Sequence, residues 1–389
     1  MTGNQVLPPG PLLRARFLER PNRFLVRCDI EGLGFQEVFL PNPGRLWELL
    51  LPGAPLYVVP SDRLGHGTSA GRKTKYTVLA VERDGRPVFL HTHLTNSVAR
   101  FLIERGLIPA LADARVVRAE YTVGSSRFDF LLRQGRRQVL LEVKSCTLYG
   151  NGVAMFPDAV TERGRRHLAE LAALGARALR PCVLFLIHTP DVRWFMPDYH
   201  TDLAFSRTLL EVRRQVKILP IAIEWTSELA IGTEVKPVSV PWRYLEREVE
   251  DRGSYLLVLR LDHERPLPVG HLGQVRFQPG YYVYVGSAMG HLKARVARHL
   301  RRRKSLRWHI DHLRAAASTP IALPIRSSAR LECDVARSLG ALLEPGPRGF
   351  GSSDCDCPTH LFWHPTNPLE WSSFHTLLQH FRMRAPTHC

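Results

Sequence analysis

Between residues 23 and 93 the chain alternates apolar and polar positions in short bursts: "RFLVRCDI", "QEVFLP", "PLYVVPS", "KYTVLAV" and "RPVFLHTH". Alternation of this kind is the mark of half-buried strands. Gly32, Gly34, Gly53 and the "RDGR" turn at 83–86 punctuate the bursts. Five short strands in so little chain predict a small barrel, too short for a sandwich. The period then lengthens. In "NSVARFLIERGL" (96–107), Val98, Phe101 and Leu102 fall on one helical face, with Asn96 placed as N-cap. Three strand-like runs follow: "RVVRAEYTVG", "SSRFDFLLRQ" and "RQVLLEVKS". A helix over 161–175 comes next, bounded by Thr161 and Gly175, and then the apolar run "PCVLFLIH" at 181–188. The order α-β-β-β-α-β predicts a small mixed sheet with flanking helices.

Residues 232–250, "GTEVKPVSVPWRYLEREVE", contain prolines and mixed charge and read as a linker. A second α/β pattern starts at "GSYLLVLRLD". It continues through "GYYVYVGS", a long basic helix "GHLKARVARHLRRR", and a helix around Arg330–Leu339. The stretch after Phe362 shows little periodicity. The expected organisation is a multidomain α+β protein: a β-barrel at 1–82, an α/β core at 83–231, a linker at 232–250, a second α/β domain at 251–364 and a tail at 365–389.

A chain of 389 residues exceeds one ordinary core, which agrees with several domains. Charge changes the picture more. Lys and Arg total 53 against 36 Asp and Glu, giving +17 and a pI near 10.1. Such a field attracts polyanions, so nucleic acid is the first partner to consider; a solvated arginine surface is the alternative. Residues 1–249 hold 34 basic and 25 acidic groups and 250–389 hold 19 and 11, so the shorter part is denser in positive charge. No run approaches the roughly 20 apolar residues that span a bilayer, and no membrane partner is expected. The first residues lack the apolar core of a signal peptide. Seven scattered cysteines argue against a disulfide framework and for a reducing cytoplasm.

The candidate chemistry lies in "SRFDFLLRQGRRQVLLEVKS". Residues i and i+2 of a strand share a face, so Glu142 and Lys144 point the same way while Val143 is buried opposite. Asp129 lies on the preceding strand of the expected hairpin, where its carboxylate can approach that of Glu142. Two such carboxylates suit Mg²⁺ or a similar hard cation, with Glu120 as a third acid. A neighbouring ammonium would orient water or offset charge on a phosphate. A surface salt bridge is the plain alternative. Asp158, Arg163, Arg166 and His167 are candidates to face substrate from the following loop and helix.

Residues 14–225 resemble the sugar fermentation stimulation protein family through "RPNRF" (21–25), "PNPGR" (41–45), "SRFDF" (126–130), "EVKS" (142–145) and "FPDAVTERGRRHLAEL" (156–171). The resemblance implies an OB-like barrel followed by a PD-(D/E)XK nuclease-like core associated with non-specific DNA binding. By that resemblance Asp129 and Glu142 would be metal ligands, with Glu120 beside them, and Lys144 would activate water. Asn42 and Arg45 would contact phosphate. Pro43 stands where the family usually has Thr, removing a hydroxyl from that loop.

In the C-terminal part, Tyr282, Tyr284 and Ser287 precede a turn into the basic helix, where Arg295 and His299 share a face and Arg301, Arg302, Arg303 and Lys304 extend the charge, so that His299, Arg301, Arg302 and Arg303 are candidate nucleic-acid contacts. Residues 253–363 resemble a compact family related to the GIY-YIG nucleases. "GSY" (253–255) stands for the first tripeptide and "YVG" (284–286) for the second, with Arg295, "WHIDHL" (308–313), Glu332 and "FGSSDCDCPTHLF" (350–362) also matching. The resemblance implies a metal at Glu332, water activation by Tyr255 or Tyr284, and phosphate stabilisation by Arg295. Cys355, Cys357 and His360 offer only three ligands where zinc usually takes four, unless His309 or Cys333 joins, so a structural zinc is not expected.

The expected function is a divalent-metal-dependent nuclease using Mg²⁺ or Mn²⁺ on DNA or RNA. The alternative is a non-catalytic, regulatory DNA-binding protein on a nuclease scaffold. Carboxylates clustered where phosphate would sit favour the enzyme.

Overall fold

The computed structural model describes residues 6–7, 10–64, 74–124, 126–174, 179–318 and 320–385, so Gly175, the expected helix stop, lies outside the described residues. The chain divides into two compact units, residues 1–198 with 204–242 and 385–389, and residues 199–203 with 243–384.

The first unit opens with β1 (Leu13–Asn22), β2 (Leu25–Ile30), β3 (Gly34–Phe39), β4 (Pro55–Pro60), β5 (Tyr76–Arg83) and β6 (Arg86–Phe89). They run β3-β2-β1-β4-β5-β6, and the pairing of Phe39 with Thr77 closes β3 onto β5. The barrel was expected; β1 was not. In "LRARFLERPN" only Ala15 and Phe17 are fully buried, so the strand is held by its two neighbours rather than by its own apolar face. The expected barrel boundary at 82 is also corrected. Asp84 and Gly85 both have positive φ, as a two-residue hairpin requires, and they fold β6 back onto β5. The "RDGR" turn is therefore inside the barrel.

The mixed sheet follows: α1 (Thr95–Glu104), β7 (Ala114–Val123), β8 (Ser126–Gln134), β9 (Arg137–Cys146), β10 (Leu148–Gly150), β11 (Val153–Phe156), α2 (Glu162–Leu174), β12 (Leu179–Ile187), β13 (Trp194–Pro197), α3 (Leu203–Val212), β14 (Lys217–Trp225) and β15 (Ile231–Pro237). Its main sheet is ordered β15-β14-β12-β9-β8-β7, with β9, β12 and β14 parallel and the others antiparallel. Strand β12 is buried over most of its length, as a central parallel strand should be. Thr161 accepts from the Gly164 amide at 3.0 Å and starts α2 as expected. Asn96 does not cap α1. Leu94 occupies the N-cap position, without a side-chain capping bond, and Asn96 sits within the first turn, where its side chain reaches Asp129. The expected linker at 232–250 is corrected, since Ile231–Pro237 pairs with β14 and the next helix begins at Trp242. One contiguous apolar cluster joins barrel residues such as Val26, Val38 and Leu56 to Phe128, Leu140 and Phe185 of the mixed sheet.

The second unit contains α4 (Trp242–Glu248) from Arg243 on, β16 (Gly253–Leu261), β17 (Arg265–Pro268), β18 (Gln274–Phe277), β19 (Gly280–Ala288), α5 (Leu292–Leu300), α6 (His309–Ala316), β20 (Ile321–Arg326), α7 (Glu332–Leu339), β21 (Glu344–Pro345), β22 (Leu361–His364) and α8 (Ser372–Arg382). Its antiparallel sheet is ordered β20-β16-β19-β22-β21. Helix α5 stops at Leu300, so Arg301–Arg303 lie beyond it and not on a long basic helix. The expected tail contains α8, which buries Phe374, Leu377, Leu378 and Phe381 at helical spacing. Among the described residues no helix is long and apolar enough to cross a membrane.

Candidate functional site

Strands β8 and β9 pair antiparallel through Phe130 and Leu141, and one step further along that register brings Asp129 opposite Glu142, on one face. The two carboxylates are held differently. Asp129 Oδ1 accepts from Asn96 Nδ2 at 2.8 Å and Oδ2 from the Val143 amide at 2.7 Å. Glu142 Oε1 accepts from Lys144 Nζ at 2.5 Å and from His167 Nδ1 at 2.7 Å. Its other oxygen, Oε2, is buried without a hydrogen-bond partner. Arg163 Nε points at the far nitrogen of His167, Nε2, at 3.5 Å. A donor there leaves Nε2 as acceptor and puts the imidazole proton on Nδ1, directed at Glu142.

These surroundings separate the two acids. Burial, with the charge of Glu142 next to it, pushes Asp129 above the usual carboxylate range. Burial also acts to raise Glu142, but His167 and Lys144 outweigh it and hold this carboxyl below its ordinary value.

Other expected site residues fall elsewhere. Glu120 has positive φ, is exposed and pairs with Arg127 at 3.5 Å, so its carboxylate turns to solvent and does not join the pair. Asn42 is buried and satisfied locally, donating to Leu90 O at 2.9 Å and accepting from the Gly44 amide at 2.9 Å. Arg45 Nε donates to Asp158 O at 2.6 Å, and its guanidinium lies over Trp47. A Cβ at Gly44 would meet Asp158 Oδ2 at 2.3 Å, so glycine is needed for that close approach. Burial, with Glu48 nearby, pushes Asp158 up to about 6. The "PNPGR" loop thus docks the barrel onto the segment before α2, braced by Arg20, which donates to the carbonyls of Asn42, Gly44 and Arg45. Arg163 and Arg166 are exposed on α2, whereas His167 is buried against Glu142 and is a positioning residue, not a surface contact. Asn96 and Arg20 were not anticipated; no local pattern marks a partner far along the chain.

In the second unit, Tyr255, Tyr284, Ser287, Arg295, His299 and Glu332 line one cavity of about 330 Å³. Tyr255 on β16 faces Gly286 on β19, and a Cβ there would meet the phenol oxygen at 2.4 Å. The glycine of "YVG" is therefore what lets the ring in. Burial raises both phenols well above their ordinary value, with each other's proximity or Glu332 next in effect. Ser287 Oγ donates to Glu332 Oε2. Arg295 lies over Trp308 at 4.7 Å. His299, expected as a nucleic-acid contact, is buried inside the cavity wall and faces Asp311 Oδ1 at 3.4 Å, an ion-pair distance without hydrogen-bond geometry. Arg301, Arg302 and Arg303 are exposed.

Three family models match the chain. Residues 18–90 match the SfsA N-terminal OB domain, 93–229 the sugar fermentation stimulation protein RE domain, and 254–383 the domain of unknown function DUF123. A sugar fermentation stimulation protein homolog from Moorella thermoacetica is 42% identical over 204 residues, which cover 52% of this chain and 85% of that one. The chain belongs to the sugar fermentation stimulation protein family. The homolog from Methanothermobacter thermautotrophicus is 34% identical over 232 residues, 59% of this chain and 94% of that one. The structure of Pyrococcus furiosus SfsA in complex with Ca²⁺ matches with a TM-score of 0.54 and 29% identity, covering 61% of this chain and 98% of that one. Family membership and the OB barrel make this an SfsA-type, nucleic-acid-binding protein with a nuclease-like fold, extended by a DUF123 module.

Proposed function

We propose that the chain is a divalent-metal-dependent nuclease that hydrolyses DNA or RNA phosphodiester bonds at Asp129, Glu142 and Lys144. The observation that carries this reading is Glu142 Oε2, a carboxylate oxygen buried without a partner on the face it shares with Asp129. An unpaired buried oxygen is costly, and two acids placed together repel unless a cation joins them. Asp129 and Glu142 fit Mg²⁺ or Mn²⁺, hard cations that take oxygen ligands. The relative whose structure is in complex with Ca²⁺, another such cation, supports the same class of ligand. When bound, the ion stabilises charge on the phosphate and lowers the pKa of water.

The remaining work falls to the protein. The ammonium of Lys144, pinned to Glu142 Oε1, orients the water that attacks phosphorus as the ester P–O bond breaks. His167 locks the Glu142 carboxylate in place, and Asn96 does the same for Asp129. A second hydrolytic centre is proposed at the cavity holding Tyr255, Tyr284, Arg295 and Glu332, because that cavity gathers all four residues named by the GIY-YIG resemblance.

The test is cleavage of labelled single- and double-stranded DNA and RNA with Mg²⁺, Mn²⁺ or EDTA, comparing wild type with Glu142→Gln and Glu332→Gln. Metal-dependent cutting should fall at least 100-fold in Glu142→Gln while binding persists. Salt-sensitive binding without cutting under any metal would instead favour the non-catalytic DNA-binding reading.

A further inference from the structure

We propose that Cys333, Cys355, Cys357 and His360 bind one zinc ion, and that this zinc fixes the orientation of Glu332 in the adjoining cavity. Sequence spacing left three ligands; the fold supplies the fourth. Cys333 comes from the first turn of α7, twenty-two residues before Cys355, and the ligand atoms of all four lie within 4.8 Å of one another. Among the described residues this is the one group of three or more His, Cys, Asp or Glu that converges so closely.

The geometry suits a tetrahedral ion. Bonds of about 2.3 Å to sulfur and 2.0 Å to nitrogen put neighbouring ligands roughly 3.5–3.8 Å apart. Cys355 Sγ and His360 Nε2 are 3.4 Å apart, close to that edge. Three sulfurs and an imidazole also select zinc over Mg²⁺ or Ca²⁺, which prefer oxygen. The three thiols are free, unpaired by disulfide. On binding, they release three protons to solvent and the imidazole binds neutral, so nothing is oxidised and the site carries one net negative charge.

The position explains what the ion is for. Residues 346–360 hold no helix or strand, yet Phe350, Ser352, Thr359 and His360 are buried. A segment of that length without regular structure needs an anchor. It also walls the cavity: Gly351 packs on Tyr284, and its amide donates to His309 Nδ1 at 3.1 Å. Zinc on His360 Nε2 leaves the proton on Nδ1, which lies 3.4 Å from Glu332 Oε1, an ion-pair distance just short of hydrogen-bond geometry, while Ser287 holds Oε2. A ligand histidine thus reaches back to the acid beside Cys333.

The zinc claim stands apart from any cleavage activity; the claim about Glu332 rests on the proposed second centre. The full chain, purified without chelator, should contain one zinc per chain by mass spectrometry. Cobalt exchanged into it should give the intense visible bands of tetrahedral thiolate coordination. Cys333→Ser and Cys355→Ser should lose the metal, and Glu332→Gln should keep it. Zinc below a tenth per chain, a cobalt spectrum without thiolate bands, or zinc lost in Glu332→Gln would overturn the site. The wild-type spectrum decides even if the serine variants do not fold. His360→Cys keeps a fourth ligand but removes the N–H facing Glu332. It should retain the zinc and lose about tenfold in the activity that Glu332→Gln abolishes. Full activity in His360→Cys would refute the orienting role, and absence of any such activity would defeat the second-centre reading and leave the zinc site intact.

Discussion

His188 is buried where the mixed sheet meets the barrel, and its protonation links acidity to the stability of that sheet. Its Nδ1 receives the Trp225 Nε1–H at 3.1 Å, and Nε2 lies 2.9 Å from Ser145 Oγ. An indole nitrogen can only donate, so Nδ1 is unprotonated and Nε2–H points at the serine. A second proton on Nδ1 would oppose the indole donor inside a site with no solvent, and burial accordingly lowers the pKa from 6.5 to about 3. The linkage sign follows directly. A depressed histidine contributes fully above the unfolded value of 6.5, and that contribution fades as pH falls toward 3. At pH 5 the unfolded chain is almost fully protonated at this site and the native chain almost not at all. The loss is then roughly 2 kcal/mol. His188→Gln keeps an acceptor and a donor without titrating in this range. Urea unfolding at pH 7.5 and pH 5, read by hydrogen exchange in peptides covering 179–187 and 217–225, isolates the strands involved. Wild type should lose about 2 kcal/mol more than the variant between the two pH values. Equal losses would refute the reasoning, because they would mean that His188 takes up its proton without unfolding.

Two further predictions concern the second unit. Gly286→Ala places a methyl against Tyr255 at 2.4 Å and should lower stability by about 1–3 kcal/mol, seen as a reduced Tm; an unchanged Tm would mean the ring can move aside. Asp311 is fully buried and accepts from Arg298 at 3.1 Å, Lys304 at 2.8 Å and the Arg307 amide at 3.0 Å, so Asp311→Asn should cost about 3 kcal/mol or more in urea unfolding at pH 7. Burial acts to raise this acid and its donors hold it well below 3.8, so its contribution in the wild type persists down to that pH and is lost only in stronger acid.

The strands that carry the site were legible because their own residues specify them. "FDFLL" and "VLLEVKS" alternate or run apolar in the way a sheet demands, and the acids stand out against that background. Asn96 and His167 were misassigned, one as a helix cap and the other as a substrate contact. Their partners, Asp129 and Glu142, are 33 and 25 residues away, and only packing of α1 and α2 on the sheet brings them together. The same reason left Cys333 only one of two possible fourth ligands, beside His309, because it belongs to a helix while its companions belong to a loop. Strand β15 and helix α8 were missed differently. Ile231–Pro237 borrows its strand character from β14, and the apolar face of α8 follows a Pro-containing, loop-like stretch that masks its period.

The apolar cluster that joins the barrel to the mixed sheet also bears on how such a chain can be divided. Val26 and Val38 of the barrel share an interior with Phe128 and Phe185 of the sheet, so a break near residue 90 would strip one half of its complement and expose the other. Residues 199–203 and 243–384 form a second unit with its own apolar centre around Leu257, Leu259 and Val269. Within that unit Arg326 donates to the carbonyls of Tyr199 and His200, so cutting the chain near residue 242 would remove donors from a segment that lies between β13 and α3.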